Sequence, residues 1–147
     1  MAWVSLCLHQ VTREDAIASI RPILQQYAAV RLGLLFGSFA RGTANERSDV
    51  DIAIDVHGSL DRLRIAAQLS AALGVEVDLV VLGDAGVPLL DEIVRDAVVA
   101  YEATPYAAAR WRTHALIDLE TDRPWYARMR DAWLASVAAQ GLDDGQP

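Results

Sequence analysis

The spacing of apolar residues changes period several times along the chain, and each change marks an element. Thr12 followed by Asp15 reads as a capping box that opens a helix over about 13–28, with Ile17, Ile20, Leu24 and Tyr27 at helical spacing. Pro22 inside that pattern predicts a kink or a split. Residues 31–36, RLGLLF, form a short apolar run suited to a buried strand, and Gly37 ends it. Residues 38–48 are small, polar and charged, which predicts a turn with one helical turn at its start. Residues 49–56, DVDIAIDV, alternate strictly, with Val50, Ile52, Ile54 and Val56 on one face and Asp49, Asp51, Ala53 and Asp55 on the other. Ser59 is read as the cap of a helix over about 60–73 that turns Leu63, Ala66, Ala67 and Leu73 inward and stops at Gly74.

Residues 75–82, VEVDLVVL, read as another alternating strand. Pro88 suits the first turn of a helix through about Asp96, and residues 98–101 a short edge strand. Thr104-Pro105 and Asp122-Arg123-Pro124 are both N-terminal helix signals, so the pattern predicts helices over about 105–120 and 124–140 folded into a hairpin. The tail GLDDGQP, 141–147, reads as loose. The order helix, strand, turn, strand, helix, strand, helices predicts an α/β domain with a small sheet.

Composition narrows the chemistry. A chain of 147 residues, 53% hydrophobic and 22% charged with a mean hydropathy of +0.19, is a globular single-domain sequence. Its net charge of −7 repels nucleic acid and anionic membrane surfaces, predicting no direct contact with either, and suits a basic protein partner. All 13 basic residues are Arg, and no Lys is present. That excludes a Walker phosphate loop, a protein kinase site and Schiff-base chemistry. Phosphate handling is left to metal ions, Arg, backbone N–H groups and hydroxyls. Cys7, the single cysteine, reads as a small core residue in a reducing compartment. The N-terminus has no signal-peptide pattern and no run reaches membrane-spanning length, so a cytoplasmic protein is expected. His9, His57 and His114 show no ligand or nucleophile spacing and read as structural.

The informative stretch runs from Gly37 to Asp51. Asp49 and Asp51 sit two apart on a predicted strand, so their carboxylates share a face, with Cα atoms about 6.6 Å apart. Hard divalent ions prefer carboxylate and phosphate oxygens, and a two-metal centre clamps both ends of an in-line phosphoryl displacement. Such a pair also occurs on solvated strand faces, but Val50, Ile52 and Ile54 anchor this strand in a core, and Asp is depleted in strands. Asp55, four residues on, reads as a strand-end residue. At the other end of the stretch, Gly37 lets a phosphate approach the backbone, the N–H groups after it form an anion-binding concavity, and Ser38 and Arg41 add donors. Asp78 lies mid-strand among Val77, Leu79, Val80 and Val81, where an unpartnered carboxylate is costly to bury. Glu76 is the runner-up on its face.

Gly-Ser, ten residues, then Asp-x-Asp resembles the signature of the polymerase-β-like nucleotidyltransferase superfamily, and LFGSFARGTANERSDVDIAI is most similar to its minimal nucleotidyltransferase (MNT) members. The resemblance implies a short mixed sheet flanked by helices, with residues 1–101 as the nucleotidyltransferase core and 102–147 as a helical extension on the same domain. It implies that Gly37 and Ser38 bind the nucleotide of ATP, with Arg41 as a further donor and Ser48, common in the family, as either a phosphate contact or a strand cap; that Asp49 and Asp51 hold two Mg²⁺ ions; and that Asp78 is the third, catalytic carboxylate. Many relatives carry Arg after Gly-Ser, where this chain has Phe39, and the resemblance leaves the role of that aromatic open.

MNT proteins pair with HEPN-domain proteins as antitoxin and toxin, so the resemblance also implies a hetero-oligomer in which AMP passes from ATP to a tyrosine of a HEPN ribonuclease. None of His9, His57 and His114 is followed two positions later by Tyr, so the chain lacks the HEPN nuclease motif itself. Trp111, Trp125 and Trp133 read as a partner surface or as hairpin core, with core expected for at least two of them. Transfer to a small hydroxylated molecule and a non-catalytic antitoxin acting by binding alone are the other readings.

Overall fold

The computed structural model describes residues 10–141. The expectations placed on Cys7, His9 and residues 142–147 lie outside them.

Helix α1 spans Arg13–Leu24 and opens on the expected capping box: Thr12 Oγ1 accepts from the Asp15 amide, and the Asp15 carboxylate accepts from the Thr12 amide. The helix carries Pro22 in its last turn and ends at Leu24, short of the predicted 28. Strand β1, Val30–Phe36, runs directly into the one-turn helix α2, Gly37–Arg41. Strand β2 covers Val50–Val56, helix α3 Arg62–Leu73 and strand β3 Val77–Val81. A 3-10 turn at Leu82–Asp84 leads to helix α4, Val87–Asp96, strand β4, Val98–Glu102, and helix α5, Ala107–Gln140.

The strands form one mixed sheet in the order β3-β2-β1-β4, with β1 antiparallel to β2 and β4, and β2 parallel to β3. The short mixed sheet and the edge position of the last strand are as expected. Each sheet face is covered by an apolar cluster. One joins Ile20 and Leu24 of α1 and Ile65, Leu69 and Leu73 of α3 to Leu35, Val50, Ile52 and Ile54. The other sets Ile93 of α4 and Trp111 of α5 against Leu34, Phe36 and Ala53.

Three local expectations are corrected. Asp61, not Ser59, caps α3, its Oδ1 accepting from the Arg64 amide. That later start rotates the inward stripe to Ile65, Leu69 and Leu73, leaving Leu63 84% exposed and Ala67 in solvent. The predicted C-terminal hairpin is instead one continuous helix of 34 residues, about 51 Å long. Its physical reason is an absence: no Gly or Asn occurs between residues 87 and 140 to take the left-handed conformation that ends a helix, so Pro124 is carried inside it. An Arg123–Asp91 ion pair fastens α5 to α4 just before that proline.

The start of α5 is also unlike the signal that predicted it. Tyr106, at the N-cap, holds a left-handed φ of 64° with no side-chain cap, and Glu102 Oε1 accepts from the Ala108 amide instead. From there Ala108, Trp111, Ala115 and Leu119 form the face of α5 that meets the body. The same three- and four-residue spacing continues through Tyr126, Met129 and Trp133, but Met129 is 53% and Trp133 64% exposed. Trp125 is exposed beside them, so two of the three tryptophans face solvent, where core was expected for at least two. Among the described residues no helix is long and apolar enough to cross a membrane.

Candidate active site

The site forms where β1 ends and β2 and β3 begin. Parallel pairing sets Asp51 directly beside Asp78, with strands about 4.8 Å apart, and the same register places Val50 beside Val77. Asp49 lies just ahead of β2, and Glu76 just ahead of β3, so the predicted carboxylates gather along one edge of two neighbouring strands. Asp78 is exposed rather than buried mid-strand. Burial cost therefore does not favour a ligand role for Asp78; its register beside Asp51 is what brings the two carboxylates together. Asp55, at the far end of β2, pairs with Arg31 as a strand-end residue, Nε to Oδ2 at 3.1 Å.

Gly37 is fixed by this arrangement twice over. Its φ is +71°, in the left-handed region that favours glycine, and a Cβ there would lie 2.1 Å from Asp51 Oδ2. The first residue of α2 thus presents bare backbone to the Asp51 carboxylate. Phe39, whose role the resemblance left open, is 5% exposed and packed in the core between α1 and α3, so it anchors α2. Ser48 Oγ accepts from the Asn45 amide at 2.8 Å, closing the turn that leads into β2. Among the described residues that hydroxyl donates no hydrogen bond.

Two further carboxylates join the site, and sequence reasoning missed both. Arg41, on α2, donates through Nη1 to Asp96 at 3.1 Å and Glu92 at 3.5 Å, both on α4. Their four-residue spacing places them on one helical face, which was visible in the sequence. That this face meets α2 is a tertiary fact.

The charges explain the titration of the site. Partial burial pushes the Asp51 carboxyl above its ordinary range, the negative charges of Asp78, Glu92 and Asp49 push it further, and Arg41 opposes them. Asp96 is held below the ordinary range, first by its hydrogen bond from Arg95 and also by that from Arg41. Among the described residues no three His, Cys, Asp or Glu side chains are already drawn together into a cation-binding group. The donor set nevertheless fits a hard divalent ion: Asp49, Asp51 and Asp78 offer only carboxylate oxygens, and their mutual repulsion at Asp51 is what a cation relieves. His57 stays structural, its Nε2 3.0 Å from the Ala28 carbonyl oxygen.

The mixed sheet, with its Gly-Ser turn facing Asp51 and with Asp49 just ahead of β2, fits a nucleotidyltransferase, and the chain belongs to that family: residues 18–105 match Polymerase beta, Nucleotidyltransferase. Among individual proteins it is 40% identical over 68 residues to protein adenylyltransferase MntA of Shewanella oneidensis, covering 44% of this chain and 49% of that one. It is 32% identical over 88 residues to MntA of Thermococcus cleftensis, covering 58% and 89%. A solved toxin–antitoxin complex with AMP-PNP contains a chain of 25% identity that superposes with a TM-score of 0.69, covering 83% of this chain and 98% of that one.

Proposed function

We propose that this chain transfers AMP from ATP to a protein hydroxyl, a tyrosine of a HEPN-type ribonuclease toxin, and so acts as its antitoxin in a hetero-oligomer in the cytoplasm. The observation that carries the reading is Asp51 seated beside Asp78 with the bare Gly37 backbone against it. Relatives named as adenylyltransferases, and the AMP-PNP complex, support the choice of nucleotide and of a protein acceptor. The exposed Trp125, Met129 and Trp133 favour a protein partner over a small acceptor, because aromatic and Met side chains are enriched where proteins meet. In this reading residues 1–101 are the transferase core and 102–147 the extension that meets the partner.

Asp49, Asp51 and Asp78 would hold two Mg²⁺ ions. These would bind the triphosphate and lower the pKa of the attacking hydroxyl. Asp78, exposed like Asp49, is open to an arriving hydroxyl and would take its proton. The amide groups at Gly37 and Ser38, with the hydroxyls of Ser38 and Ser48, orient the phosphates. Arg41 donates to the oxygens of the departing pyrophosphate.

The test is incubation with labelled ATP, Mg²⁺ and the product of the adjacent reading frame. Label is expected on that protein, and its loss with Asp49→Ala/Asp51→Ala. Label on neither protein, with toxicity still neutralised by the double variant, would replace transfer by binding alone.

A further inference from the structure

The role of Arg41 as a phosphate donor rests on the proposed function, but the way it is held does not. Its guanidinium is exposed enough for its long side chain to sample many rotamers, yet one nitrogen is committed. Nη1 lies 3.1 Å from Asp96 Oδ2 and 3.5 Å from Glu92 Oε1. Among the described residues neither Nε nor Nη2 of Arg41 donates a hydrogen bond, which leaves the outer side of the guanidinium fork open there. Asp96 is itself immobilised: its side chain is only 14% exposed, and Arg95 grips the carboxylate through Nε at 3.1 Å and Nη2 at 3.3 Å. The anchor is therefore a half-buried carboxylate fixed by a second arginine at the last turn of α4, and not a mobile surface acid.

We propose that Asp96, with Glu92 in support, is a positioning residue for nucleotide binding: it pins the Nη1 side of Arg41 so that Nε and Nη2 face the triphosphate already oriented. Arg41 stands at the end of a helix only five residues long, which gives its side chain little other support. Holding the side chain in advance removes part of the ordering cost that phosphate binding would otherwise incur. A competing effect has the opposite sign. Asp96 and Glu92 are negative, so neutralising either one reduces repulsion toward a triphosphate whether or not Arg41 is present. The two effects separate in a double-mutant cycle.

The experiment measures equilibrium binding of AMP-PNP by calorimetry, with Mg²⁺, to the unaltered chain, Asp96→Asn, Arg41→Ala and the double variant, with thermal melts confirming that each is folded. Asp96→Asn is expected to weaken binding about three- to tenfold, the loss that corresponds to one freed side chain. In the Arg41→Ala background the same change is expected to leave binding equal or slightly tighter. In steady-state transfer assays Asp96→Asn should raise the ATP KM by a similar factor while kcat moves less than twofold. Equal weakening in both backgrounds, or tightening in both, would overturn the proposal. So would Arg41→Ala leaving affinity unchanged, since Asp96 would then have nothing to act through. Failure of the function reading shows separately, as no AMP-PNP binding by the unaltered chain, and it removes this proposal with it.

Discussion

Replacing Gly37 by Ala tests the site's geometry most sharply, because Gly42 provides an internal control. Both residues hold left-handed φ values, +71° and +74°, but a Cβ on Gly42 meets nothing within 4 Å. Forcing an L-residue into that region costs about 1–2 kcal/mol, partly offset by about 0.4–1 kcal/mol from the less flexible unfolded chain. Gly42→Ala should therefore lose about 1 kcal/mol. Gly37→Ala suffers the same strain and a collision besides. Its Cβ would sit 2.1 Å from Asp51 Oδ2, so that oxygen must retreat about 0.9 Å to reach even 3.0 Å, and Cγ already stands at 3.0 Å. Overpacking of this kind adds about 1–3 kcal/mol, giving a total of about 2–4 kcal/mol. Urea unfolding at constant m reads the difference as a lower midpoint. In an Asp51→Ala background only the Asp51 Cβ, at 3.3 Å, remains in the way, and the extra loss should collapse toward the Gly42 value. Equal losses for Gly37→Ala and Gly42→Ala, or an undiminished loss without the Asp51 carboxylate, would refute the contact between turn and strand.

Three further outcomes are expected. The raised pKa of Asp51 means its contribution to stability is fully present below its unfolded value of 3.8 and is lost as pH rises through the folded one, so Asp51→Asn should raise the melting temperature at pH 7 and leave it unchanged near pH 3, while removing transfer activity. Pro124→Ala should stabilise the chain by up to about 3 kcal/mol in thermal melts, because it restores a helix hydrogen bond within α5; a loss of stability would mean the proline is needed where it stands. Trp133→Asp should leave the isolated chain's melting temperature within about 2 °C, since the side chain is 64% exposed, but weaken partner binding in a pull-down or by calorimetry by at least tenfold; unchanged affinity would place the interface elsewhere.

The core of the site was legible because its grammar is local. A Gly-Ser turn between strands and two aspartates two apart are fixed by neighbours within fifteen residues, and the strand register then delivers Asp78 to Asp51. Glu92 and Asp96 were not legible, since their spacing names a helical face but says nothing of which element that face meets. The α3 cap was misread by two residues, enough to turn the inward stripe from Leu63 to Ile65 and Leu69. The hairpin was misread for the converse reason. Asp122-Arg123-Pro124 spells a helix start, but a start also needs a preceding stop, and no Gly or Asn lies between the start of α5 and Gly141. Continuity of α5 leaves its distal apolar stripe without a core beneath it, and this turns two presumed core tryptophans into candidate contact residues.

The central claim is that AMP, and not a phosphate, leaves ATP for a protein hydroxyl at the Asp51–Asp78 site. Parallel reactions with ATP labelled at the α-phosphate and at the γ-phosphate, each with Mg²⁺ and the partner protein, read this directly. Label is expected on the partner from the α position only, with pyrophosphate released and both signals abolished by Asp51→Asn. Label from the γ position, or α-label that persists in Asp51→Asn, would contradict it.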